Sequence, residues 1–161
     1  MEETAQLINQ FLVSNFNHIL RWEERVLTGA FEGVLSVSEY HVIEAVVQAT
    51  PGQQNTMGEV AGRLGVTVGT LTTAVKTLER KGFLMRQRGQ EDKRVVWLAA
   101  TPVAQEANRF HEQFHQRMVG GIMDVLDRQQ LAALTAALAV LNDWFSALEA
   151  ERNYIAIEEE E

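Results

Sequence analysis

Apolar residues recur at helical spacings along most of the chain, and the period changes in one short stretch. Between about Thr4 and Ala30, the positions of Leu7, Ile8, Phe11, Phe16, Ile19, Leu20 and Leu27 predict an amphipathic helix, which Gly29 and Gly33 then break. SVSEYHVIEAVVQ predicts a second helix, with Ser36 and Glu39 spaced so that each side chain satisfies the other's free N–H. Pro51-Gly52 marks a loop. Thr56 and Glu59 open a short helix that ends at Leu64-Gly65. Thr67 caps another, whose inward face is Val68, Leu71, Val75 and Leu78. Gly82 closes it, glycine being favoured where the backbone turns left-handed past a helix end. Two short helices about a tight turn outline a helix-turn-helix. FLMRQR and KRVVWLA then carry strand-forming residues on either side of Gly89-Gln90-Glu91-Asp92, which predicts a β-hairpin. Thr101-Pro102 restarts helix, with proline at the position where its missing N–H costs nothing; this helix runs to about Gly120-Gly121, a place for a kink. Asp127 and Gln130 open a last helix, striped with Leu131, Leu134, Leu138, Leu141, Phe145 and Leu148. The pattern predicts a mainly α fold with a small β-hairpin.

Composition narrows the class. A chain of 161 residues with 46% apolar content can bury a core and fits one domain. It has no cysteine, so disulfides, thiolate metal sites and cysteine nucleophiles are excluded, which fits a reducing compartment. The acidic start MEETAQ does not read as a signal peptide. The apolar run from Leu131 to Leu141 falls short of the roughly 20 residues of a membrane helix, so the expectation is a cytoplasmic protein with no membrane partner. Net charge is −8, yet Met57 to Trp97 holds eight basic residues against four acidic ones. That window therefore carries +4 and the remainder −12. A basic middle in an acidic shell points to phosphates, and so to nucleic acid.

EVAGRLGVTVGTLTTAVKTLERKGF followed by RGQEDKRVVWL, with Asp92 and Arg94 as a D-x-R pair, resembles the MarR family of winged-helix transcription regulators. The likeness covers most of the chain and centres on Met57 to Thr101. Where the family commonly continues L-x-L-T-x-x-G, this chain reads LAATPVAQ, and proline fixes the helix start in place of the glycine pattern. VTVGTLTTAVKTLERKGF, EDKRVVWL and RFHEQFHQRM are similar to the branch that represses fatty-acid synthesis genes. The resemblance implies a single chain over 1–161, with a winged helix-turn-helix over 36–101, dimerisation helices over 1–35 and 102–150, and an acidic tail over 151–161. It implies a homodimeric repressor with no cofactor and no enzymatic activity.

A helix entering the major groove needs small polar or basic side chains outward, and Thr67, Gly69, Thr70, Thr73 and Lys76 provide them. Its first turns hold no Arg, Asn or Gln, the bidentate readers of guanine and adenine, so an A/T-leaning operator read partly through groove shape is expected. The hairpin supplies Arg86, Arg88, Lys93 and Arg94. By resemblance, Arg88 or Arg94 enters the minor groove and Asp92 braces it; a plain solvated hairpin with weak surface ion pairs is the competing reading. One such domain reads a half-site, and two copies about 34–36 Å apart on an inverted repeat need a symmetric dimer. The apolar stripes of the first and last helices are the expected dimer surface.

HEQFH, His111 to His115, matches the zinc-protease pattern H-E-x-x-H. The extended motif would place a glycine and a third histidine where Met118 and Gly121 stand, so a metallohydrolase lacks its third ligand. Two effector readings stay open. The resemblance implies a long acyl chain on acyl carrier protein as co-repressor, with Phe11, Phe16, Ile19, Phe31, Tyr40, Phe110, Phe114 and Met118 as candidate lining. Some MarR relatives instead sense zinc through histidines in comparable places, here His41, His111 and His115 with Glu24, Glu39 and Glu112 as companions.

Overall fold

The computed structural model describes residues 2–52, 55–88 and 95–158, with side-chain environments for all of these except Glu32 and residues 149–158. Helix α1 (Glu2–Gln10), a π-helical segment Phe11–Asn15 and α2 (Phe16–Thr28) follow one another directly, so the long first helix is observed with a widened turn inside it. Phe31–Gly33 forms a 3-10 turn in which Phe31 sits at φ 48°, a left-handed conformation costly for a bulky side chain. Its ring packs edge-on against Phe83 and Phe110, with both centroids 6.4 Å away.

The capping pairs read from the sequence are formed. Before α3 (Val37–Ala49), Ser36 N–H donates to Glu39 Oε2 at 2.8 Å and the Ser36 hydroxyl accepts from Glu39 N–H. Thr56 and Glu59 repeat this reciprocal arrangement at α4 (Met57–Arg63). After the turn at Gly65, φ 64°, the Thr67 hydroxyl accepts from Thr70 N–H at 3.1 Å and starts α5 (Val68–Arg80). Leu71, Val75 and Leu78 face the core as expected. Val68 does not: it is 49% exposed, because the first turn of α5 projects past the core and residues 65–70 all lie at the surface. Gly82, φ 82°, lets Phe83 N–H return to Leu78 O at 2.9 Å, which ends α5.

Strand β1 (Leu84–Arg88) pairs antiparallel with β2 (Val96–Ala100), in register from Leu84↔Ala100 to Arg88↔Val96. The segment before α4 extends this wing, since Thr56 bridges Trp97 and Leu98 N–H donates to Asn55 O at 2.9 Å. Thr101 ties β2 to the end of α5 through Gly82 O at 2.8 Å and opens α6 (Pro102–Val125). The helix runs through Gly120 and Gly121 rather than ending there. No side chain stands where their Cβ atoms would be, so these glycines cost helix propensity alone, about 1 kcal/mol each, and the ladder continues. Reciprocal bonds between Asp127 and Gln130 at 2.8 and 3.0 Å open α7 (Arg128–Glu158).

The chain forms two compact units, Met1–His115 and Gln116–Glu161. The buried core, including Leu27, Leu35, Tyr40, Ile43, Val46, Leu71, Leu78 and Leu98, belongs to the first. In that unit Leu7, Ile8, Phe11, Phe16 and Leu20 are exposed; in the second, Leu138, Leu141, Trp144, Phe145 and Leu148 are exposed. The expectation of no membrane-length segment needs correcting. Arg128–Leu148 is a 21-residue stretch long and apolar enough to cross a membrane by length and composition, although its core run alone is too short. Its striped leucines and aromatics equally suit a partner helix.

One cross-link joins the start of α3 to the end of α5. Lys81 Nζ donates to both Glu39 carboxylate oxygens, at 2.6 and 2.8 Å, and to Val34 O at 2.7 Å. Burial alone would raise the Glu39 carboxyl, but the bonds from Lys81 and Ser36 outweigh it and hold it below the ordinary carboxylate value. A carboxyl lowered in the folded state contributes stability that is present above its unfolded value and lost as pH falls through the folded one. Lys81→Met should therefore cost about 1–3 kcal/mol at neutral pH, and that deficit should shrink on acidification below about pH 4. Denaturant melts of both proteins across pH check this; an equal deficit at pH 3 and pH 7 would assign it to packing instead.

Candidate nucleic-acid interface and histidine cluster

The outward face of α5 carries Thr67, Gly69, Thr70, Thr73 and Lys76, all exposed. Thr67 and Thr70 bond each other, Oγ to Oγ at 3.0 Å, and Thr73 Oγ1 donates back to Gly69 O at 3.4 Å, so these hydroxyls hold fixed positions on the first turns. A Cβ on Gly69 would meet little besides Thr67 Oγ1 at 3.7 Å, which makes the glycine a matter of low profile rather than of crowding.

The wing's described basic residues divide into two kinds. Arg88 is exposed at the end of β1. Arg86 is not free: its Nη2 donates to Thr72 O at 3.3 Å and its Nε lies 3.4 Å from Glu79 Oε2. It works as a strut that clamps β1 to α5, and it edges an open cleft of about 460 Å³ with Thr56, Met57, Gly58, Val68 and Thr72. Asp92, Lys93 and Arg94 lie outside the described residues.

The candidate acyl-lining residues are distributed over different environments. Tyr40 and Phe114 are core residues, 1% and 4% exposed, with the Tyr40 hydroxyl donating to Leu27 O and the Phe114 ring edge-on to Trp22 at 5.0 Å. Phe31 and Phe110 border a shallow cleft of about 440 Å³ with Glu106 and Arg109. Phe11, Phe16 and Ile19 are exposed on α1, α2 and the segment between them. Met118 is half-buried in the second unit. The set implied by the resemblance thus spans core, cleft and surface residues of the single chain.

The histidines, by contrast, converge. Glu23 Oε1 lies 3.1 Å from His41 Nε2 and 3.2 Å from His111 Nε2, and His115 Nε2 lies 3.0 Å from His111 Nε2. His111 is fully buried and Glu23 is 4% exposed. Burial lowers the His111 imidazole below its ordinary value, outweighing the upward pull of Glu23 and of Glu44. The carboxylate partner differs from the expected companions. Glu24 points to solvent, Glu39 is taken by Lys81, and Glu112 accepts from Asn108 Nδ2 at 2.7 Å. Glu23, one turn before buried Leu27, was available as a signal: the i, i+4 spacing puts both on the inward face of α2.

This donor set suits a transition-metal ion. Edges of 3.0–3.2 Å between neighbouring donors approach the roughly 3.3 Å edge of a tetrahedron with bonds of about 2.0–2.1 Å. Glu23, His111 and His115 offer ligand atoms all within 4.8 Å of one another, and His41 shares the Glu23 oxygen. Imidazoles with one carboxylate and no thiolate suit zinc. Glu112, the base in the protease reading, has one carboxylate oxygen bonded by Asn108 Nδ2 and its side chain exposed.

Comparison with known proteins places this arrangement. A model of the MarR family matches residues 35–96. The crystal structure of Streptococcus pneumoniae FabT in complex with DNA is similar, with 35% identity, a TM-score of 0.83, and coverage of 89% of this chain and 99% of that one. The structure of the transcriptional regulator BldR from Sulfolobus solfataricus has 25% identity and a TM-score of 0.61, over 91% of this chain and 96% of that one. The HTH-type transcriptional regulator YwhA of Bacillus subtilis (strain 168) is 24% identical over 86 residues, 53% of this chain and 62% of that protein. The alignment thus spans less than two thirds of that relative's length. With the caps, strand register and turn glycines all in place, the end-to-end likeness to FabT and the family match over the helix-turn-helix establish that the chain belongs to the MarR family of transcription regulators.

Proposed function

We propose that this chain, a transcription regulator and not an enzyme, acts as a homodimeric repressor on an A/T-leaning inverted repeat of double-stranded DNA, and so works in the cytoplasm. The observation that carries this reading is the exposed, hydroxyl-rich face of α5, with Lys76 on it and Arg88 beyond on the wing. The similarity to FabT, whose structure was determined with DNA, supports it. Thr67, Gly69, Thr70 and Thr73 meet the groove, Lys76 and Arg88 meet phosphates or groove edges, and Arg86 holds wing and helix in one spacing. Asp92, Lys93 and Arg94 keep the wing roles that the resemblance gives them. A gel-shift titration on a palindromic A/T-rich fragment tests the reading. Affinity should fall by about 10³-fold or more between 50 and 200 mM salt if six or more phosphates are contacted. A flat salt response would remove the DNA-binding proposal.

Two effectors have support of different kinds. Long-chain acyl groups on acyl carrier protein, repressing fatty-acid synthesis genes, are supported by the sequence likeness to that branch and by the similarity to FabT. Zinc is supported by geometry, through the convergence of Glu23, His41, His111 and His115 on two buried side chains. Operator binding with acyl carrier protein, loaded or unloaded, and with chelator or added zinc, separates them. Loss of binding on chelation that zinc restores, without any acyl protein, selects the metal. Tightening by acylated carrier in the presence of chelator selects the lipid.

A further inference from the structure

His111 is the node of the cluster, and one of its ring nitrogens is left without a hydrogen bond among the described residues. His111 Nε2 faces Glu23 Oε1 at 3.2 Å and His115 Nε2 at 3.0 Å, while its Nδ1, fully buried, has no hydrogen-bond partner among the described residues. Glu44 Oε2, on α3 one turn after Tyr40, lies 3.6 Å from that Nδ1. If the neutral ring carries its proton on Nε2, the Nδ1 lone pair confronts the Glu44 carboxylate. If it carries the proton on Nδ1, that N–H points at Glu44, and the Nε2 lone pair then converges with the Glu23 oxygen and the His115 nitrogen. Three lone pairs converging there are reconciled by a proton or by a metal ion among them, and the second arrangement uses all three as ligands.

We infer that Glu44 is a positioning residue for this metal site: it holds the Nδ1–H tautomer of His111, so that Nε2 is presented as a ligand to zinc beside Glu23 and His115. The inference rests on the metal reading above. Ligating histidines ordinarily give their second ring N–H to a carboxylate, which fixes the ring and raises its basicity. Glu44 is suited to the task by position: its side chain reaches from a 26% exposed place on α3 to the unpartnered nitrogen of a fully buried ring. The contact of 3.6 Å is longer than a hydrogen bond, and the other carboxylate oxygen of Glu44 accepts from Gln48 Nε2 at 3.1 Å, which leaves Oε2 to the ring.

The test uses the full-length protein and two readouts: zinc affinity by competition with a chromophoric chelator, and visible absorption of the cobalt(II) form. Glu44→Ala should weaken zinc binding by about 10–100-fold. Glu44→Gln, whose side-chain oxygen still accepts from Nδ1–H, should recover most of that loss. Metal-free melting temperatures of the three proteins should agree, since a purely structural role would instead lower them. Equal zinc affinity in wild type and Glu44→Ala overturns the role of Glu44 and leaves the metal site standing. Equal weakening by alanine and glutamine replaces tautomer control with plain charge attraction, and also overturns it. A wild type that takes up neither ion overturns the metal reading itself.

Discussion

Replacing Leu138 and Leu141 together by glutamate should turn the protein into a monomer and weaken operator binding by more than 100-fold. Both side chains are exposed in the single chain, 55% and 47%, and they continue the stripe of Leu134, Trp144, Phe145 and Leu148. Isolated exposed leucines are ordinary, but a contiguous apolar stripe of this length marks an interface. Two carboxylates forced into it would each lose their hydration without a partner. Linking two half-site readers multiplies affinity by about 10²–10⁴ over either alone, and that multiplication is what the monomer forfeits. Light scattering after size exclusion gives the mass, and a shift assay gives the affinity. A variant that stays dimeric, or a monomer that binds as tightly as the wild type, would refute the assignment of this face.

Charge reversal at Lys76 should have the next largest effect, about 100-fold in operator affinity at 0.1 M salt, since each of the two subunits of the proposed dimer loses a contact of roughly 1–2 kcal/mol. Lys76 is exposed on α5, one turn beyond Thr72 and Thr73, and no intramolecular ion pair occupies it among the described residues. Lys76→Gln is the diagnostic partner: it should reduce the slope of log affinity against log salt by about 1 per copy and weaken all sequences alike. Neither variant should alter melting temperature. If Lys76→Gln changes sequence preference but not the salt slope, the residue reads bases rather than phosphates.

Much of the fold was legible because its punctuation is local. Ser36 with Glu39, Thr56 with Glu59, Thr67, Gly82 and Thr101-Pro102 each satisfy or excuse backbone groups within a few residues, so spacing alone located them. Val68 escaped because burial at the first turn of a helix depends on how far that turn overhangs its neighbours, which no periodicity encodes. The candidate site divides similarly. His41, His111 and His115 were recognisable as residue types at suggestive places. Glu23 meets His111 across 88 positions of sequence, and Glu44 belongs to the cluster only because α3 comes close to α6 at His111. Such partners become visible when helices dock, and composition offers no substitute. The apolar set is divided for a related reason: Phe114 and Phe11 look alike in sequence, yet one lies in the interior and the other on the surface of the single chain.

The left-handed backbone at Phe31 has a mechanical consequence. A bulky aromatic there stores on the order of 1–3 kcal/mol of strain. Edge-on packing of its ring against Phe83 and Phe110 offsets part of that cost. The connection between the helix that bears Glu23 and the one that bears His41 therefore holds its bend through aromatic packing, and Phe31→Gly would remove the strain and the packing together.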